Sequence, residues 1–317
     1  MTAESTTTAR TPGAAAGPDR AAAGSTPPRR RPSGTYPSRP VKNRLLRVII
    51  KHAVLGSLLF AILYPLLWMV AASFRPSNEV FTTIGLFSGS FTFDNYVSGW
   101  SEGQVNFSQY FWNSTVITVL TIVGTLFACS LAAYAFARLE FPFRRVLFAI
   151  MLATMLLPTH VTLVPQYILF NELGWVNTYL PLVVPHWLGV EAFYIFLMVQ
   201  FIRGLPRELD ESARIDGCGH FRIFGRIIMP LALPAIGTTA MFTFIASWNN
   251  FLGPLLYLNR DSLKTVPLGL SAFLDSTGAS TYGPLFAMAT LSLVPIVGFF
   301  IVSQRLLIEG IATTGLK

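Results

Sequence analysis

Thr115-Val-Ile-Thr-Val-Leu-Thr-Ile-Val-Gly-Thr-Leu-Phe-Ala-Cys-Ser-Leu-Ala-Ala-Tyr-Ala-Phe-Ala137 runs for 23 residues without a charge. At 1.5 Å per residue a helix of that length reaches about 34 Å, enough to cross a hydrocarbon core of about 30 Å. Inside lipid no water satisfies a free peptide group, so the run is helical, and it is too long for a barrel strand. Gly124, Ala128, Ala132 and Ala133 recur every three or four residues, which suits close approach of a neighbouring helix.

Five more stretches have the same character: Ala53–Ala72, Val146–Phe170, Leu180–Ile202, Leu231–Leu252 and Pro284–Ser303. Across all 317 residues 52% are apolar and 12% charged, against about 25% charged in a soluble domain. A soluble chain could not hide that much apolar surface. The reading is an all-α membrane protein with six transmembrane helices. Pro65, Pro158, Pro165, Pro185, Gly237 and Pro295 lie inside the runs, and membrane helices tolerate them where neighbours re-satisfy the freed carbonyls.

Orientation follows from Lys and Arg. With the N-terminus inside, 20 of the 23 fall on the cytoplasmic side and only Arg75, Arg260 and Lys264 outside. That imbalance predicts cytoplasmic N- and C-termini. It also accounts for the net charge of +8 without any nucleic acid. Residues 1–42 read as a disordered basic cytoplasmic tail, too poor in apolar residues to offset its ordering entropy. The tail has no apolar core of a cleavable signal, so the first run stays as an anchor. Arg29 to Arg31, Arg39, Lys42, Arg44, Arg47 and Lys51 suit anionic headgroups of the lipid bilayer. Cys129 and Cys218 are too far apart in sequence and setting to suggest a disulfide or metal framework.

The loop from 203 to 230, leading from the fourth run into the fifth, carries the most information. It contains Leu205-Pro-Arg-Glu-Leu-Asp-Glu-Ser-Ala-Arg-Ile-Asp-Gly-Cys-Gly-His-Phe-Arg-Ile-Phe-Gly-Arg-Ile-Ile-Met-Pro230. Pro206 followed by Glu208, Asp210 and Glu211 predicts a helix start, and Gly217 a left-handed helix end. Phe221, Phe224 and Ile228 read as one face of a second amphipathic turn, with Pro230 opening the next span. On physical grounds alone this is a short helix–turn–helix lying along the membrane, or an ordinary surface loop.

The loop resembles the signature loop of binding-protein-dependent importer permeases. Glu211, Ser212, Ala213, Asp216, Gly217, Phe224, Ile228, Pro230 and Pro234 stand at that family's spacing, with Ser212, Cys218 and Met229 as mild departures. Ala132-Ala-Tyr-Ala-Phe-Ala-Arg138, Leu157-Pro-Thr-His-Val-Thr-Leu-Val-Pro-Gln-Tyr167, Trp248-Asn-Asn-Phe251, Thr265-Val-Pro-Leu-Gly269 and Glu309-Gly-Ile-Ala-Thr-Thr-Gly315 are similar to the maltose-type carbohydrate branch. The terminal stretch departs somewhat from that branch. The resemblance covers roughly residues 45 to 317 and implies a type I ABC importer permease fold over 43–317. It implies a bacterial cell-membrane location, a second homologous permease, a cytoplasmic ATPase dimer, an extracellular solute-binding protein and a sugar substrate. The loop would be the coupling helix that docks on the ATPase, with Glu211 adding a charge-assisted contact.

The chain holds no Gly-x-x-x-x-Gly-Lys-Ser/Thr loop, so no cofactor is expected on it, and ATP would be used by the partner. It is read as a transport subunit, not an enzyme. His160 and His186 read as interior or cavity histidines, and Glu191 as an interface residue or a substrate contact. Trp248, Asn249 and Asn250 pair an aromatic face with amides, which suits either a sugar path or helix–helix hydrogen bonds. Two alternatives stay open. One is the same importer class with a peptide or amino-acid cargo. The other is a stand-alone secondary transporter, which should show an internal repeat and ion-coupling carboxylates.

Overall fold

The computed structural model describes residues 41–314 except 84, 87, 102, 104 and 276–280, with side chains given for all of these but 41–44, 159, 275 and 305–314. The expected disordered tail therefore lies, up to residue 40, outside the described residues, as do the side chains of Glu309–Gly315. Among the described residues every regular element is helical.

The chain divides into two units, 1–57 and 58–317. In the first, the described residues form the opening of α1 (Val41–Ala72). This helix starts well before Ala53, so Lys42, Arg44, Arg47 and Lys51 ride on it rather than precede it. Its apolar side chains from Leu45 to Leu67 are all exposed. That is the pattern of a helix whose surface meets lipid or another subunit.

The second unit holds the rest of α1 and α2 (Asp94–Ser101), α3 (Phe107–Arg138), α4 (Arg144–Thr154), α5 (Thr159–Glu172), α6 (Leu180–Trp187) and α7 (Ala192–Gly204). Then come α8 (Glu208–Ile215), α9 (His220–Ile223), a π-turn (Phe224–Ile228), α10 (Met229–Leu231), α11 (Leu233–Trp248), α12 (Leu252–Tyr257), a 3₁₀ turn (Asp261–Leu263), α13 (Val266–Asp275) and α14 (Tyr282–Thr314).

The helix read first, α3, is the central one. Asn106 caps its start through a bond from the Ser108 N–H (3.0 Å), and it packs on α6, α7, α11 and α13. Gly124 permits the closest approach. A Cβ there would lie 2.3 Å from the Trp187 ring, whose N–H donates to the Leu120 carbonyl (3.1 Å). Three apolar clusters are strung along this helix. One lies around Cys129, Ala133 and Ala137 with Met198 and Ile202, one around Phe107 and Tyr110 with Trp248 and Met288, and one around Ile117 with Phe170 and Leu182.

Among the described residues four helical stretches are long and apolar enough to cross a membrane: Leu45–Ala72, Phe107–Arg138, Leu180–Gly204 (α6 with α7) and Tyr282–Gln304. A fifth arises if His220–Leu231 and Leu233–Trp248, bent by 76°, count as one span. The expected third span, Val146–Phe170, is broken into α4 and α5, 11 and 14 residues long. The break sits at Met155 to Pro158. Proline lacks the N–H that would continue the ladder and pushes the residue before it out of helical geometry. The expected fifth span begins at Leu233, next to Pro234, not at Leu231.

Between α1 and α3, the 73–106 segment with α2 is tied down by buried polar groups. Asn95 donates to the carbonyls of Ser73 (2.9 Å) and Arg75 (2.7 Å), and the 3% exposed Arg75 donates to those of Thr83 and Gly85. Gly283 lets the start of α14 lie against Asn95, where a Cβ would stand 2.3 Å away.

Candidate functional site

The 203–230 loop folds as the sequence chemistry directs. Helix α8 carries Glu208, Asp210 and Glu211 in its first turn and Arg214 in its last, matching its dipole. Its end is a Schellman motif. The Cys218 N–H donates to the Ala213 carbonyl (2.9 Å), the Gly217 N–H to that of Arg214 (3.0 Å), and Gly217 sits at φ 78°. Nothing lies within 4 Å of a Cβ built on Gly217, so its conformation, not its space, demands glycine.

One face of the loop is anchored. Ala213, 5% exposed, enters the cluster formed by Cys129, Ala133, Tyr134 and Ile202. Asp210 and Arg138 form an ion pair at 3.2 Å, with side chains 9% and 3% exposed. Arg138 also donates to the Leu205 carbonyl at 2.9 Å. The Tyr134 hydroxyl lies 3.5 Å from His220 Nδ1, and its ring packs on Phe224 with centroids 5.3 Å apart. Both arms of the loop are thus fastened to the last turns of α3.

The other face is open. Glu211, Ser212, Asp216 and Gly217 are exposed, and so are two large apolar side chains, Ile215 at 87% and Phe221 at 86%. These apolar tips stand out from a loop otherwise rich in charge. Phe221 does not share a face with Phe224 and Ile228, as the 3.6-residue period predicts. Phe224–Ile228 is a π-turn, and the Met229 N–H reaches back to the Phe224 carbonyl. The wider turn aligns residues five apart, so Ile223 and Ile228 are the buried pair, while Phe221 is exposed. Phe224 is half-buried and Pro230 exposed.

Of the predicted residues, the fold brings Glu211, Ser212, Ala213, Asp216 and Gly217 onto one short helix and its cap. The sequence reading missed Arg138, Asp210, Ile215 and Phe221 as parts of this site. For Ile215 a signal existed, an apolar residue between Arg214 and Asp216.

Trp248, Asn249 and Asn250 separate. Trp248 is 3% exposed, stacks on Phe244 and donates its N–H to the Ser292 carbonyl (3.3 Å). Helix α11 ends there, so both asparagines follow a helix end rather than lie deep in a span. Asn249 donates to the Ile245 carbonyl (2.9 Å), and Asn250 accepts from the Gly253 N–H (3.1 Å). His186 Nδ1 lies 3.3 Å from a Glu191 carboxylate oxygen. Among the described residues no three His, Cys, Asp or Glu side chains gather as metal ligands.

Residues 124–312 match the family described as binding-protein-dependent transport system inner membrane component. The chain is 35% identical over 259 residues to the probable ABC transporter permease protein YurM of Bacillus subtilis (strain 168), covering 82% of this chain and 85% of that one. It is 33% identical over 267 residues to the trehalose/maltose transport system permease protein MalG of Thermococcus litoralis, covering 83% and 95%. In structure it resembles a chain of a bacterial ABC transporter involved in the import of the acidic polysaccharide alginate, at TM-score 0.74 and 20% identity, over 85% of this chain and 99% of that chain. With an apolar helical bundle and a loop anchored on one face and open on the other, the chain belongs to the binding-protein-dependent inner-membrane component family, the permease subunits of ABC transporters.

Proposed function

We propose that this chain is one permease half of an ATP-driven, binding-protein-dependent sugar importer in a bacterial cell membrane, and that it works by alternating access. The observation that carries this reading is the two-sided 203–230 loop, with Ala213 and Asp210 locked to α3 and α7 and with Ile215, Phe221 and Glu211 free. A partner ATPase dimer docks on the free side. When the dimer closes on ATP, the push reaches α3 through the Arg138–Asp210 pair and the packed Ala213. The spanning helices then exchange inward- for outward-facing arrangements as rigid bodies. An extracellular binding protein delivers the sugar, and a second permease completes the path. Sugar as cargo is supported by relatives such as the one named for trehalose and maltose.

In this reading the α4–α5 segment is the third of six spans, broken at Pro158, and the bent pair ending in α11 is the fifth. The 20-to-3 distribution of Lys and Arg supports cytoplasmic termini.

The test is uptake of radiolabelled sugars by cells that carry the intact system, compared with cells lacking only the ATPase. Accumulation against a gradient that disappears with the ATPase is expected. Accumulation that persists without it, driven by an ion gradient, makes the chain a secondary transporter and overturns the proposal.

A further inference from the structure

A cavity of about 200 Å³ opens where α3, the α6–α7 junction, α11 and α12 meet. Its polar wall includes Glu191, His186, Tyr194, Ser247, Asn250 and Thr265. Ile117, Leu182 and Pro254 supply an apolar wall. Ser114, also at this cavity, stands about 36 Å along α3 from Arg138, so the hollow is remote from the 203–230 loop.

Polar side chains in a lipid-embedded bundle are costly unless they face one another or water. Here several converge on a hollow with hydrogen-bonding capacity to spare. Thr265 is 4% exposed, and its hydroxyl has no hydrogen-bond partner among the described residues. Asn250 accepts the Gly253 N–H through Oδ1, which leaves its two amide N–H donors. Glu191 sits at the break after Gly189, where φ is 72°, and its half-exposed carboxylate is an acceptor beside His186. Among the described residues no Lys or Arg lines the cavity.

A carboxylate acceptor, amide donors and a spare hydroxyl opposite an apolar wall match a ring that carries hydroxyls on its rim and C–H groups on its face. A carboxylate or phosphate on the cargo would instead meet Glu191 with no lysine or arginine to offset it. The volume falls below the roughly 300–1,000 Å³ of sites that enclose whole ligands, so one ring fits and an oligosaccharide does not. We infer that this cavity is the subsite for one neutral sugar ring that this chain contributes to the translocation path, and that Glu191 and Asn250 favour uncharged over acidic saccharides. The inference rests on the sugar-importer reading above and adds the side chains and the cargo class.

The experiment uses the whole importer, reconstituted with its second permease, ATPase and binding protein in liposomes. Uptake of radiolabelled maltose, trehalose, cellobiose and a digalacturonate is measured together with ATP hydrolysed. At least one neutral disaccharide is expected to accumulate in preference to the digalacturonate. E191Q and T265V are each expected to lower the sugar moved per ATP by about tenfold, the effect of losing one hydrogen bond in a buried setting. T265V keeps the side-chain shape, so it reports on the hydroxyl alone. Unchanged sugar per ATP in both variants overturns the subsite, and so does a loss that tracks the amount of assembled complex. If the wild-type importer accumulates none of these sugars but does accumulate a peptide or an amino acid, the sugar-importer reading itself fails. The two failures are thereby distinguished.

Discussion

Arg138 and Asp210 pair at 3.2 Å with almost no solvent contact, so removing one partner strands a buried charge. D210A is expected to cost about 3–5 kcal/mol, read as a lower unfolding temperature in detergent. The double variant R138M/D210L is expected to regain most of that stability, because apolar replacement of a buried pair is often neutral or favourable. Equal destabilisation by the double variant would show that the pair is worth more than its packing. Gly124 is a second sensitive residue. G124V places atoms inside the Trp187 ring and is expected to cost about 1–3 kcal/mol by overpacking, checked by the same melts. The need for a small residue at 124 was legible, because its spacing from Ala128 and Ala132 is a sequence pattern. The Arg138–Asp210 pair was not. Nothing local links a residue at the end of one long helix to one on a short helix beyond the next four, and only the tertiary fold brings them together.

Among the elements, α8 was the most predictable. Its acidic first turn, Arg214 and Gly217 are local signals that act within one or two helical turns, and the cap forms as they direct. The π-turn after it escaped notice because an extra residue in a turn leaves no mark on a 3.6-residue pattern, yet it sets Ile223 and Ile228 on one buried face. The third span misled in a similar way. Hydropathy averages over Met155 to Pro158, and the missing proline N–H does not. The cavity beside Glu191 is likewise assembled from stretches far apart in the chain, and although His186, Glu191, Asn250 and Thr265 were each noticed in sequence, nothing local showed that they meet. For the docking face of the loop, I215S and F221S are expected to leave permease stability within about 0.5 kcal/mol, since neither side chain is packed. Both are expected to lower recovery of the ATPase in co-purification. Full recovery of the ATPase with both tips removed would place the docking face elsewhere.

At the scale of the whole molecule, the 20-to-3 distribution of Lys and Arg and the apolar helices support one orientation, with both ends in the cytoplasm. Reporter fusions at each terminus, and one within 73–106, check it. Cytoplasmic signals at both ends and an external signal between them are expected. An even number of crossings follows from that result, and a further reporter in the 173–179 turn after α5 tests the broken α4–α5 segment as a span, since only a crossing there places that turn outside. The central claim is that this chain is a lever between ATP hydrolysis and sugar passage, and Gly217 is the point on which it turns. Leucine there must hold φ 78°, a conformation that side chains with a Cβ rarely adopt, at an open surface where nothing else is disturbed. The most direct test is the ratio of sugar imported to ATP hydrolysed by the reconstituted importer carrying G217L. The expected result is normal membrane insertion with that ratio reduced at least tenfold, and transport at the wild-type ratio would contradict the account.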